Sequence, residues 1–113
     1  MQTISDEYMR EMLPTVRSYT LVILKATPNR REPGLEKIIW EHGRRNFALR
    51  AEGLMPIVCP VTDGGDVSGI GVFITGLEET RQIMDEDPGV KAGIFVYEVH
   101  ACRGFPGDCL PSG

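Results

Sequence analysis

No stretch of this chain stays apolar for anything near the roughly 20 residues that cross a bilayer, and no basic run exceeds the pairs Arg30-Arg31 and Arg44-Arg45. The formal net charge is −4, so the chain lacks the positive field through which nucleic acid and anionic membranes are bound, and neither is expected as a partner. Residues 1–10 carry acidic side chains and lack the basic-then-apolar order of a secretory leader; a cytoplasmic location is the expectation. Cysteine is scarce: Cys59, Cys102 and Cys109 are odd in number and lack paired ligand spacing, with only His100 nearby. Reduced thiols are expected, not a disulfide framework or a zinc site. Gly64-Gly65 and Gly69-Ile70-Gly71 lack the lysine and the strand-to-helix context of a phosphate loop, which disfavours nucleotides. No metal and no cofactor is expected.

What is present reads as one globular domain, 1–113, with a modest core. Ser5-Asp6-Glu7 has the form of a helix cap with an acidic first turn, and Tyr8, Met9, Met12 and Leu13 follow at helical spacing until Pro14. This helix belongs to an N-terminal extension, 1–17. Residues 18–26 form a β-rich run that is apolar on both faces, and 27–34 break it with prolines, an asparagine and a glycine. From 35 to about 52, Leu35, Ile38, Ile39 and Leu49 share a helical stripe interrupted by His42 and Asn46, and Gly53 is placed to end the helix. Strands are predicted at 54–61 and 70–75, joined antiparallel through the Thr62 to Asp66 turn. Thr75-Gly76-Leu77-Glu78 fits a capping box opening a second core helix, whose stripe runs on to Asp87 before Pro88. A last strand over 91–100 and an irregular tail, 101–113, complete the chain.

The predicted order is strand, helix, strand, strand, helix, strand behind one extra helix: an α+β, ferredoxin-like βαββαβ arrangement. Such a sheet carries helices on one face only. Leu21/Ile23 and Val22/Leu24 are nevertheless apolar on both faces, as are Ile70/Val72 and Phe73. A second copy of the chain, packed sheet to sheet about a two-fold axis, is the expected cover.

His42 and Asp87 each fall, in this reading, on the apolar stripe of their own helix, where an unpartnered polar group is costly. A His–Asp pair is therefore the leading site candidate. The imidazole can serve as general acid or base near neutral pH, or as a structural histidine bonded to a carbonyl. Asp87 can hold one tautomer, or simply end a helix. Arg44, Arg45 and Arg50 suit a carboxylate substrate or a solvated helix face; Trp40, Phe47 and Tyr97 suit an apolar pocket, core or interface. Arg45, Asn46 and Tyr97 are the candidate substrate contacts.

Over about residues 19–99 the chain resembles the YCII-related family of the dimeric α+β barrel superfamily. The likeness rests on Tyr19-Thr20-Leu21-Val22-Ile23-Leu24-Lys25, on His42 in the first core helix, and on Asp87-Pro88 followed by Ala92-Gly93 and Tyr97-Glu98-Val99. It implies a dimeric α+β barrel and an active-site pair formed by His42 and Asp87. Members include a dehydrochlorinase of a chlorinated hydroxyhydroquinone, and the superfamily includes muconolactone isomerase. Gly43-Arg44-Arg45-Asn46-Phe47 stands where the family usually has leucine and tyrosine, and Gly89 where an aromatic often follows Asp-Pro. The implied function is a small cofactor-independent enzyme of the lyase or isomerase type acting on an oxygenated small molecule. The alternative is a non-catalytic small-molecule-binding or accessory dimeric domain.

Overall fold

The computed structural model describes all residues, Met1–Gly113. Ser5 caps helix α1 (Asp6–Met12), its Oγ accepting the Tyr8 amide at 3.1 Å. Pro14 diverts the chain into a single 3-10 turn. Strand β1 (Arg17–Ala26) follows, with Thr20, Val22 and Leu24 buried and Leu21 and Ile23 on the other face, as a period of two dictates. Helix α2 (Glu36–Ala51) ends as expected at Gly53, whose φ of +77° suits a residue without Cβ.

Strand β2 (Ile57–Pro60) is shorter than 54–61, because the Leu54 and Met55 amides are spent on the Leu49 carbonyl at 3.0 and 3.2 Å, closing the end of α2. Strand β3 (Val67–Phe73) pairs antiparallel with both β2 and β1. The expected capping box at Thr75 does not form. Thr75 is buried: its carbonyl accepts from the Thr20 hydroxyl at 2.7 Å, and its own hydroxyl lies 2.7 Å from that of Thr80. Helix α3 (Leu77–Asp85) starts one residue later, from Gly76, without a side-chain cap.

The predicted run of this helix to Asp87 is also corrected. The helix stops at Asp85, and Asp87 opens a separate turn, α4 (Pro88–Lys91). Lys91 and Ala92 therefore precede the last strand, β4 (Phe95–Gly104), which extends four residues into the predicted tail and pairs antiparallel along the whole of β1. Sheet order is β2-β3-β1-β4, the ferredoxin-like order.

Val22, Leu24, Leu49, Met55, Phe73, Met84, Ile94 and Phe95 form the core between the sheet and α2, α3 and α4. The opposite face carries Leu21, Ile23, Ile70 and Val72 in mutual register, with Ile70 exposed and Leu21, Ile23 and Val72 half-buried. Cys59 pairs with Ile70 and is half-buried in the edge strand, not in the core. All three cysteines are free, and no helix is long and apolar enough to cross a membrane.

Candidate active site

Asp87-Pro88 is a helix start: an acidic N-cap followed by proline at the first helical position, where its missing N–H is no loss. Oδ2 of Asp87 accepts the amides of Gly89 at 2.9 Å and Val90 at 3.1 Å. That leaves Oδ1, and it meets Nδ1 of His42 at 2.7 Å. Burial alone would raise the carboxyl, whose side chain is only 2% exposed. The His42 bond and charge, with the Val90 and Gly89 amides, outweigh that and hold it below the ordinary aspartate value. Asp87 is thus a carboxylate, an acceptor only, so Nδ1 is the donating nitrogen of His42.

With Nδ1 committed, Nε2 is the basic atom, and Nδ2 of Asn46, one turn further along α2, donates to it at 3.3 Å. The ring is steadied by Phe95, at a centroid separation of 4.8 Å and a tilt of 39°. Phe95 occupies the space above Gly89, since a Cβ built there would overlap its ring. The aromatic that often follows Asp-Pro in the resembled family is thus absent where a strand aromatic fills in.

His42 and Asn46 open into a cleft of about 460 Å³ between α2 and the β2–β3 hairpin. Its wall includes Met55, Met84 and Phe95, and Gly69 and Gly71 supply bare backbone on the helix side of β3. A Cβ at Gly71 would come within 2.6 Å of the Met55 sulfur, so a larger residue there would displace the Met55 side chain from the cleft wall. A larger groove, about 630 Å³, lies along the outward side of α2 beside Trp40 and Phe47 and does not contain His42. Both aromatics are two-thirds exposed, so they are not core.

Of the candidate substrate contacts, only Asn46 lines the cleft with His42. Arg45 faces Glu86, whose carboxyl is held low chiefly by its 2.6 Å pair with Lys91 and further by Arg45. Tyr97 donates its hydroxyl to Asp85 Oδ1, 2.5 Å away, with the Arg81 carbonyl the more distant acceptor at 3.3 Å. Arg44 pairs with Glu41 at 3.1 Å. Sequence reasoning missed Phe95 and the glycine wall. The available signals were the alternate glycines of Gly69-Ile70-Gly71 and the small residue left after Asp-Pro.

No family model matches the chain, and no curated protein matches it. Among solved structures, it is similar to 5-chloro-2-hydroxyhydroquinone dehydrochlorinase from Burkholderia phenoliruptrix AC1100 in complex with 2,5-dihydroxybenzoquinone. The identity is 18% and the TM-score 0.49, over 73% of this chain and 90% of that one.

Proposed function

We propose that the protein is a small enzyme of the lyase or isomerase type, in which His42 moves a proton on an oxygenated small molecule. The observation that carries this reading is the division of labour at the imidazole: Nδ1 bound to a buried carboxylate, Nε2 directed to a cleft. In that state Nε2 takes a proton from a carbon or hydroxyl of the bound molecule, and Asp87 stabilises the imidazolium. The released electron pair then forms a double bond. In a lyase it expels a leaving group from the neighbouring carbon with its bonding pair. In an isomerase it displaces the π pair of an adjacent double bond, whose far carbon takes the proton back from the imidazolium. Asn46 fixes the ring edge and offers its amide to a substrate oxygen.

The same reading includes a homodimer through the open face of the sheet, with Leu21, Ile23, Ile70 and Val72 at its centre, as the resemblance to the YCII-related family implies. One observation favours the non-catalytic alternative: Asp87 also caps α4, so the pair ties α2 to the turn before β4 whatever else it does. The test is solvent-deuterium exchange into a panel of small hydroxylated ring compounds, followed by NMR. Exchange should occur with the natural chain and vanish in a folded His42→Gln variant. Equal exchange in both would overturn the reading.

A further inference from the structure

The cleft beside His42 carries charge of one sign. Its basic residues are Arg30 and His42, its other polar residues include Asn46 and Ser68, and none of its lining residues is a carboxylate. This is against the balance of the chain, which has 16 acidic to 12 basic residues. Asp87 presents no oxygen to the opening, since its side chain is sealed and both oxygens are bonded, and its negative charge is met by the His42 ring and by the Gly89 and Val90 amides behind it.

Arg30 is exposed, stands between this cleft and the outer groove that holds Glu32 and Glu36, and takes part in none of the ion pairs of the structure. It sits in a 3-10 turn, Pro28–Arg31, and that turn is anchored. The Thr27 amide donates to the Ile94 carbonyl at 3.0 Å, the Thr27 hydroxyl to the Gly93 carbonyl at 2.6 Å, and the Asn29 amide group to the same carbonyl at 3.3 Å. Gly93 and Ile94 lead directly into Phe95, the ring packed on His42. The guanidinium is therefore carried by backbone tied to the strand that steadies the imidazole. The remaining wall is apolar or bare backbone, and about 460 Å³ suits one small ring.

We propose that this cleft takes a flat, single-ring anion, with its negative oxygen group held by Arg30 and its reacting edge at Nε2 of His42. The inference rests on the proton-transfer reading of His42 and names its substrate class. A guanidinium matches a carboxylate or ionised hydroxyl with charge-assisted hydrogen bonds, which a neutral ring cannot use. Arg30 is then the specificity-determining residue.

The experiment titrates the chain with 4-hydroxybenzoate and with hydroquinone, following the ring signals of its histidines by NMR. His42 and His100 are the only two, and His100 serves as the control outside the cleft. The carboxylate probe should shift His42 but not His100, and should bind more tightly than the neutral one. Arg30→Gln should weaken the carboxylate roughly tenfold to a hundredfold, the range for losing a hydrogen bond to a charged group, and leave hydroquinone unchanged. Arg30→Lys should restore part of the loss. Equal affinity for the two probes, an unchanged affinity in Arg30→Gln, or no shift of His42 at millimolar probe would each overturn the proposal. Arg30-dependent binding that persists in His42→Gln supports the anion seat even where proton exchange is absent. Exchange confined to neutral rings sinks the anion seat and leaves the role of His42 standing.

Discussion

Replacing Asp87 by asparagine changes one atom and should reverse the polarity of the pair. The variant side chain is isosteric, and asparagine caps a helix about as well as aspartate, so its oxygen can keep both amide bonds now made to Gly89 and Val90. Its NH₂ then occupies the place of Oδ1 and must donate to Nδ1 of His42, which drives the ring proton to Nε2. Every bond of residue 87 is still made, and a turn of the Asn46 amide presents its Oδ1 to the new Nε2 proton, so the fold should lose only the difference between a charge-assisted and a neutral hydrogen bond, about 1–2 kcal/mol. Catalysis should lose far more, about 10²–10⁴-fold, because Nε2 is no longer a base. The tautomer can be read without a substrate, from the nitrogen chemical shifts of the His42 ring in the two proteins. Acid gives a second readout. The native carboxyl is held below its ordinary value of 3.8, so its contribution is complete above that value and is lost as pH falls through the folded one. Asparagine has no such dependence, and the stability gap between the proteins should close in acid. A natural chain with its proton on Nε2, an unchanged tautomer in Asp87→Asn, or a gap that widens as pH falls below 3.8 would refute the reasoning.

Gly89→Ala should destabilise by about 1–3 kcal/mol in chemical unfolding, the range for overpacking, because the added methyl overlaps the Phe95 ring; a neutral result would mean that the ring is free to move. Ile23→Asp, on the open face of β1, should turn a dimer into a folded monomer by light scattering, and a natural chain that is already monomeric at micromolar concentration would remove the interface. Burial first, then the Asp85 hydrogen bond and charge, push the Tyr97 phenol up to about 12. Ultraviolet titration should therefore show one tyrosine ionising late. Since the folded value lies above the ordinary one, that contribution is full below about pH 10 and fades as pH rises toward 12, and Tyr97→Phe should abolish the late step.

The strand and helix order was legible because each junction carries its own chemistry, such as Gly53 behind α2 and the Asp-Gly-Gly-Asp turn between β2 and β3. The errors lie where tertiary contacts outbid local pattern. Thr75 has the residue type and spacing of a cap, but it is needed inside, where Thr20 and Thr80 bond it, and the helix begins without it. Met55 looks like strand and is instead core, its amide closing α2. A four-residue helix such as α4 is too short to show a period at all.

Asp87 is the instructive case, since the pair was anticipated from a premise that the structure corrects. The residue was placed on the buried stripe of a helix, where a polar group seeks a partner. It is instead the residue before a helix, and the reason it can serve His42 is that a cap needs only one of its oxygens. A carboxylate buried on a helix stripe would depend on the imidazole alone to remain charged, and desolvation would favour its protonated form. At an N-cap, the Gly89 and Val90 amides share with the imidazole the work of keeping it ionised against burial. The charge that orients the imidazole therefore rests on backbone as well as on His42, and in the proposed reaction this is what lets Asp87 hold Nδ1 while a proton is exchanged at Nε2.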